Sequence, residues 1–289
     1  MSSALRDQAL ADAAGLAQRH PTVFTPPLKQ RLVTIAVILA LVGLFVFGFH
    51  RLGFSLTRFL NGLTQLGSFV GFMIPPSPGT WAKAVIYFHA LAETIAIAFL
   101  GTLLAFLFSF PLAFLAARNA TINRGVQLLV RRFSDSVRGV DTLIWALIWV
   151  TVVGLGPFAG VLAIMTSDIG NFTKLFSEAI ESADKKAGEG VVSTGGSRLH
   201  EIRFGILPQV FPVIIGQTLY FFESNTRSAT IIGIVGAGGI GLHLSEQIRT
   251  LEWQGVSFII LLILITVAVI DFASTKLRIA IIGKSQVAV

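Results

Sequence analysis

Cysteine is absent from this 289-residue chain, and charged residues are scarce. Without cysteine there can be no disulfide and no thiolate metal site, and the redox compartment stays open. Only 13% of the residues are charged, against about 25% in ordinary soluble domains. The mean hydropathy of +0.78 excludes a disordered chain and argues against a soluble globule.

Tyrosine and proline are also rare, with 2 and 10 copies, whereas phenylalanine and glycine are abundant, with 24 and 28. This balance is typical of helices whose outer surface faces lipid and which approach one another at small residues. The sequence therefore predicts an all-α polytopic membrane protein that contacts membrane lipid directly.

Long uncharged runs show where the chain can cross a membrane, because a helix needs about 20 mostly apolar residues to span a hydrocarbon core of roughly 30 Å. The longest run, Thr142 to Ser167, contains Gly154-Leu155-Gly156-Pro157, a turn sequence that divides it in two. We therefore expect about six transmembrane helices. They are expected at about residues 32–49, 90–117, 136–153, 157–173, 207–235 and 255–276.

The basic residues support this count. A net charge of +7 would suggest a nucleic-acid partner if the cations formed one face, but most of them fall in four separate segments. These are the segment before the first span, the 118–138 loop, the loop after the fourth span and the tail. They share one side only if residues 142–167 cross twice, and the positive-inside rule then places them, with both termini, in the cytoplasm.

The same pattern divides the chain into three parts. Residues 1–31 are expected to form a cytoplasmic arm, with an amphipathic helix around Ala4 to Gln18. Residues 32–281 are expected to form a transmembrane domain, and residues 282–289 a tail. Between Arg51 and Lys83 we expect an external segment, in which a short interfacial helix over Arg58 to Phe72 ends before a proline-rich turn.

The predicted connection between the fourth and fifth spans, residues 174–206, is far longer than the usual 2–8 or so residues between helices. Apolar Val191, Val192, Leu199 and Ile202 lie around Gly195-Gly196, where glycine can adopt positive φ. Two short amphipathic helices at an angle are therefore predicted. Such an elbow can dock in a groove on a soluble partner; a surface loop without partners is the alternative.

From Glu189 to Pro208 the sequence resembles the cytoplasmic motif of membrane subunits of binding-protein-dependent ABC importers. In that family Glu-Ala-Ala is followed, after three residues, by Gly and, after nine more, by Ile-x-Leu-Pro. Glu189, Gly195 and Leu207-Pro208 match, whereas Gly190-Val191 replace the two Ala and Gly205 replaces the Ile. The resemblance implies a type I ABC importer permease fold and a coupling helix that sits on an ATPase subunit. The implied coupling residues are Glu189, Gly195, Gly196, Ser197, Arg198, Leu199, Leu207 and Pro208.

Most of Arg51 to Ile270 also resembles the permeases of phosphonate importers. The likeness includes Arg58-Phe59-Leu60, residues 111–119, Trp145-Ala146-Leu147-Ile148 and residues 233–241, while Asp141-Thr142 replaces the usual Pro-Glu of that branch. Phosphonate, phosphite and phosphate therefore stay open as cargo. A permease for another solute, such as an amino acid, and a non-ABC channel are the alternatives.

The resemblance further implies an inner-membrane transport subunit that is not itself an enzyme. It would pair with a second permease copy or a paralogue, receive its solute from an extracytoplasmic substrate-binding protein, and depend on separate ATPase subunits that carry ATP and Mg. No cofactor or metal is expected in this chain, and nucleic acid is not expected as a partner.

The fifth predicted span carries ionisable residues at membrane depth, where a charge costs roughly 2.5–3.5 kcal/mol. Glu223 and Arg227 are four residues apart, so that one helix can pair them. A local ion pair is one interpretation. In the other, Asn225 and Arg227 line the translocation pathway, and the planar fork of Arg227 binds an oxyanion. Gln217 and Glu93 are weaker candidates for the pathway and better explained as hydrogen-bond partners between helices.

Two further motifs do not predict nucleotide binding. Residues 236–241 read Gly-x-Gly-x-x-Gly, but neither strand–helix alternation nor a suitably placed acid accompanies them. Their glycines are expected to let the fifth helix break or pack closely near an external gate. Gly283-Lys284-Ser285 resembles the end of a phosphate-binding loop, but Arg278 stands where its first glycine is required. No catalytic residue is predicted.

Overall fold

The computed structural model describes residue 15, residues 28–121 and residues 123–282. All regular elements in this part of the chain are helical, as predicted. The predicted amphipathic helix around Ala4 to Gln18 falls outside the described residues apart from Gly15, and the predicted tail does so apart from residue 282.

The described helices follow one another with short connections. They are α1 (Leu28–Arg51), α2 (Leu56–Phe72), α3 (Trp81–Ala116), α4 (Arg124–Arg138), α5 (Thr142–Val153), α6 (Pro157–Glu181), α7 (Lys185–Ser193), α8 (Arg198–His200), a π-helical segment (Glu201–Ile206), α9 (Leu207–Ile234), α10 (Ile240–Arg249) and α11 (Trp253–Ile282).

Two compact units divide the chain, Met1–Phe69 and Val70–Val289. The first unit contains α1 and most of α2. The α1 helix buries no side chain and exposes large apolar residues such as Leu32 and Phe45 along its length. An apolar surface of this kind is suited to lipid. The α2 helix covers the predicted interfacial helix over Arg58 to Phe72.

The second unit is built around α6, which packs against α3, α4, α5 and α9. Near its C-terminal end Phe172 and Phe176 stack with 5.0 Å between ring centroids, fully buried with Ile180 against residues of α3 and α9. Near its N-terminal end Ile164 packs with Ile97 in a second cluster that joins α3, α5, α6 and α9. The α6 helix is thus surrounded by protein along most of its length.

Four described helices are long and apolar enough to cross a membrane: α1, α3, the continuous helix over residues 198–234, and α11. The pair α4 and α5, bent by 88° at its break, is a fifth if it forms one span. The fourth predicted span, which is α6, is not among these helices; it carries Asp168, Lys174 and Glu178. Asp168 is buried among the surrounding helices. The Lys174 and Glu178 side chains are more exposed, and they pair with each other toward the C-terminal end of α6.

Local capping and turn residues set the helix ends within residues 136–157. Asp141 caps α5, its Oδ1 accepting a hydrogen bond from Leu143 N at 2.8 Å. The predicted third span is therefore divided, and residues 136–138 belong to α4. The turn between the third and fourth spans is confirmed: Gly154 and Gly156 have φ of +93° and +136°, and Pro157 begins α6.

The expected break at the glycine cluster is also present. The α9 helix ends at Ile234, and α10 begins at Ile240. Between them Gly236, Gly238 and Gly239 have positive φ, a conformation that glycine adopts without a steric penalty. The break changes the direction of the chain at the C-terminal end of α9, which is remote from α7 and α8.

Close contact between α3 and α6 depends on Gly101, where an added Cβ would lie 2.7 Å from the Ile164 Cβ. We expect Gly101→Leu to lower the free energy of unfolding by about 1–3 kcal/mol, because overpacking forces the two helices apart. The check is the thermal unfolding midpoint of the detergent-purified protein.

Gly43→Leu is the matched control, since nothing lies within 4 Å of a Cβ added at Gly43. Its midpoint should stay near that of the unmodified protein. Equal midpoints for the two variants would show that the contact between α3 and α6 is not tight.

Candidate functional site

The elbow, residues 185–206, leads from the end of α6 to the start of α9. Its first helix, α7, is capped by Asp184, whose Oδ1 accepts from Lys186 N at 3.0 Å. Gly195 follows α7 with φ of +86°. Ser197 then caps α8 together with His200, whose Nδ1 accepts from Ser197 N at 3.2 Å. A glycine turn with helix on either side is therefore present, as predicted.

The second helix of the elbow differs from the prediction, because it is not separate. The single turn α8 passes through the π-helical segment into α9, so that residues 198–234 form one continuous helix. The connection is also shorter than the predicted 174–206, since residues 174–181 belong to α6. Both helices extend beyond the predicted spans, and Ile180 and Ile206, which lie outside those spans, are buried in the same apolar cluster.

Glycine contacts attach the elbow closely to the base of α9. A Cβ on Gly205 would lie 2.8 Å from the Cα of Gly188. Gln209 adds hydrogen bonds: its Nε2 donates to the carbonyl oxygens of Gly205 and Asp184, at 2.6 and 3.2 Å, and its Oε1 accepts from Asp184 N at 3.0 Å. The departure from the importer motif at Gly205 therefore has a physical explanation. The isoleucine of the motif would collide with α7 at this position.

Polar contacts also tie the elbow to the connection between α3 and α4. Arg198 donates to Glu201 Oε2 at 2.7 Å and to the carbonyl oxygen of Asn119. At the end of α6, Glu181 accepts from Arg118 N at 2.6 Å and pairs with Arg131. The sequence prediction named Arg198 but neither glutamate. The three-residue spacing of Arg198 and Glu201 could have predicted their ion pair from the sequence.

The other predicted coupling residues lie at or beside the elbow surface. Leu199 is 76% exposed, and Glu189 is exposed beside a cavity of about 220 Å³ that Arg198 also lines. Gly196 packs against Val191. Leu207 and Pro208 form the first turn of α9. The elbow therefore exposes the apolar side chain of Leu199, while its backbone is held against the helix bundle.

A buried polar cluster lies further along α9, at Asn225. Its Nδ2 donates to Asp168 Oδ2 on α6 at 2.5 Å and to Thr102 Oγ1 on α3 at 2.8 Å. Asp168 is 3% exposed and also accepts from Asn171 Nδ2 at 3.3 Å. Asn225 was predicted to line a pathway; within the described residues its amide joins three helices. Asp168 was not among the predicted site residues; in the sequence it directly follows the uncharged run that ends at Ser167.

Glu223 and Arg227 lie one turn apart on α9 and form the predicted ion pair, with 2.8 Å between Arg227 Nη1 and Glu223 Oε1. Glu223 is buried, whereas the Arg227 side chain is 47% exposed. The pair thus offsets the burial of the carboxylate. It also leaves about half of the Arg227 side chain exposed, so that a further anion can reach the other N–H groups of the guanidinium.

Glu93 and Gln217 have different surroundings. Glu93 Oε1 accepts from Gly239 N at 2.9 Å, and the neighbouring Thr94 Oγ1 accepts from Ile240 N at 2.8 Å. These bonds hold the glycine-rich connection at the start of α10, where a carboxylate is favoured by the helix dipole. Glu93 is therefore an inter-helix hydrogen-bond partner, as predicted. Gln217 borders a cavity of about 480 Å³ between α6, α9 and α11.

The Asp168–Asn225 contact can be tested by a double-mutant cycle. We expect Asp168→Ala and Asn225→Ala each to lower the free energy of unfolding by about 1–3 kcal/mol, because each leaves a buried polar partner unsatisfied. The combined variant should lose less than the sum. The measurement is thermal unfolding of the four proteins in detergent.

Asn171→Ala is the control, since Asn171 contributes the longer 3.3 Å bond to the same carboxylate and should have a smaller effect. Strictly additive losses for Asp168→Ala and Asn225→Ala would contradict the coupling of the two side chains.

Comparison with known families places most of the second unit in one of them. Residues 109–278 match the family described as "Binding-protein-dependent transport system inner membrane component". The protein HtxC of Stutzerimonas stutzeri is 37% identical over 262 residues, which cover 89% of each chain. The phosphite transport system permease protein PtxC of the same species is 35% identical over 222 residues, 77% of this chain and 80% of PtxC.

A third relative is longer. The phosphate-import permease protein PhnE of Mycolicibacterium smegmatis is 36% identical over 253 residues, which cover 87% of this chain but only 47% of PhnE. The chain therefore spans about half of that protein.

Two solved structures share the fold. A structure of the MetNI methionine ABC transporter in an inward-facing conformation superposes with a TM-score of 0.62 at 18% identity, over 70% of this chain and 99% of the matched chain. An amino acid ABC transporter gives 0.56 at 16% identity, over 69% and 97%. At these identities the likeness shows the fold alone, and it is the fold of an importer permease, as predicted.

Proposed function

This chain belongs to the family of binding-protein-dependent transport system inner membrane components, and on that premise we propose that it is the permease subunit through which an ATP-driven importer moves a phosphorus oxyanion. The relatives named for phosphite and phosphate transport support this class of cargo. Phosphonate belongs to the same class, since it presents the same charged oxygens.

The observation that carries the proposal is the elbow, an exposed apolar Leu199 on a base that is continuous with α9. We place the elbow, with both termini, in the cytoplasm, where it docks on a separate ATPase subunit that holds ATP and Mg. A docked partner that moves the elbow also moves α9, because Gly188, Gly205 and Gln209 fix the two together.

Movement of α9 reaches the groups that meet the cargo. The Arg227 side chain lies on α9 and is 47% exposed, so that it borders a closed pathway only where another permease chain covers this surface. A second copy or a paralogue is therefore part of the proposal. An extracytoplasmic binding protein delivers the oxyanion, and Arg227 gives it a planar pair of donors on the way through.

Leu199→Asp tests the docking of the elbow. We expect this variant to lose at least ten-fold of ATP-dependent uptake and to retain less ATPase subunit on purification, because a charge replaces the apolar contact. Uptake is measured in proteoliposomes that contain the complete transporter and its binding protein, with labelled phosphate, phosphite and methylphosphonate, and with histidine as the amino-acid comparison.

Leu128→Asp is the matched control, since Leu128 is also an exposed leucine but lies on α4, outside the elbow. It should keep uptake within about two-fold. Full uptake and ATPase retention by Leu199→Asp would refute the docking role. Uptake of histidine with none of the three oxyanions would refute the proposed cargo alone.

Arg227→Gln separates the ion pair from the pathway. We expect at least a five-fold loss of oxyanion uptake with the complex still assembled, because glutamine retains a hydrogen bond to Glu223 but no charge for the cargo. Assembly is read by size-exclusion chromatography and uptake by the same vesicle assay.

The charge-swapped variant, with Glu223→Arg and Arg227→Glu together, supplies the comparison. It keeps a local pair and should assemble, yet it should not recover uptake, since the exposed position now carries a negative charge. Complete recovery of transport by the swap would mean that Arg227 serves only its pair.

A further inference from the structure

A cavity of about 480 Å³ lies between α6, α9 and α11. Its walls combine apolar Leu175, Val213 and Phe221 with three polar side chains, Gln217, Tyr220 and Arg278. Two buried polar atoms beside it have no hydrogen-bond partner among the described residues, namely Gln217 Oε1 and Arg278 Nε. Buried polar atoms are rarely left unpaired, so the cavity is built to hold a polar group.

Arg278 determines the charge of that group. It is the one cation that lines the cavity, no carboxylate lines it, and none of the ion pairs in the described part of the chain includes Arg278. The guanidinium lies 5.9 Å from the centroid of the Tyr220 ring. That contact favours a cation but leaves the N–H donors free. A partly buried cation without a counter-ion favours an anionic occupant.

The position of Arg278 along α11 fixes its depth. At a rise of 1.5 Å per residue, the 30 residues of Trp253–Ile282 span about 45 Å, close to the roughly 40–45 Å of a bilayer with its headgroups. Arg278 lies about one turn from the end of α11, so that an α11 crossing the bilayer along its normal places Arg278 at the level of the headgroups. The apolar wall formed by Leu175, Val213 and Phe221 belongs to the same cavity.

We propose that this cavity binds one phosphorus oxyanion, with Arg278 as its counter-ion and the Gln217 amide and Tyr220 hydroxyl as further hydrogen-bond donors. Rotation of the Gln217 amide presents its NH₂ to the cavity in place of the oxygen. Both a phospholipid headgroup and a transported oxyanion have this chemistry. The second source rests on the proposed function, whereas the first does not.

Arg278→Gln tests the site in the purified transporter complex. One arm titrates phosphatidylglycerol, with diacylglycerol as the probe that lacks the phosphate, and counts bound lipid by native mass spectrometry. The other arm measures binding of labelled inorganic phosphate by equilibrium dialysis. We expect affinity for at least one phosphate-bearing probe to fall ten-fold or more, because the counter-ion is lost.

Lys276→Gln is the matched control. Lys276 is an exposed cation on the same helix, with its Nζ 5.4 Å from the Phe272 ring centroid and outside the cavity. Its loss should change either affinity less than two-fold. Gln217→Leu retains Arg278 and should weaken binding by about two- to five-fold, which keeps the test decisive if Arg278→Gln does not fold.

A loss confined to phosphatidylglycerol identifies the lipid as the source, and a loss confined to phosphate identifies the solute. The proposal is overturned if neither probe depends on Arg278 or Gln217, or if Lys276→Gln has the same effect as Arg278→Gln. Uptake by the unmodified transporter is measured separately. Its failure would refute the proposed cargo while the phosphatidylglycerol arm still reports on the cavity.

Discussion

Burial of α6 among α3, α4, α5 and α9 is the packing on which the second unit depends. The close approach requires glycine at the contacts, most clearly at Gly101 against Ile164 and at Gly170, where an added Cβ would lie 2.8 Å from the backbone of α4. Because protein surrounds α6, this helix can carry Asp168 at membrane depth and satisfy it with amide donors. The most polar of the long helices is thus the central one, and the more apolar helices face outward.

The packing of α9 against α6 also links the two ends of the second unit. At its C-terminal end α6 leads into the elbow, and the elbow returns without a break into α9, which lies against α6 and is tied to it by Asn225. At its far end α9 reaches the glycine-rich connection that Glu93 and Thr94 hold from α3. One helix therefore joins the proposed docking surface, the exposed Arg227 and the far end of the bundle.

Local signals in the sequence predicted the parts of this structure that depend on neighbouring residues. The sequence Gly154-Leu155-Gly156-Pro157 identified the turn before α6, and the glycine pair at Gly195 identified the elbow, because glycine and proline act through their own backbone. The observed helix ends differ from the predicted ones where burial in the core decides them. The fifth span was predicted to begin at residue 207, but the helix already includes the buried Ile206. The Asp168–Asn225 hydrogen bond joins residues 57 positions apart. Helical periodicity relates only residues that are close in the sequence, so it cannot predict such a pair. The meeting of Gln217 and Arg278 at one cavity was equally unpredictable, because it depends on the packing of α9 against α11.

The contact between Gly188 and Gly205 is one of backbone against backbone. Side chains that separate two helices can change rotamer and absorb a displacement of a few tenths of an ångström, but Gly188 and Gly205 have no side-chain torsion to change. A displacement of α7 toward Gly205 is therefore passed to the π-helical backbone that continues into α9. The stiffness of this joint comes from two residues that have no side chain at all.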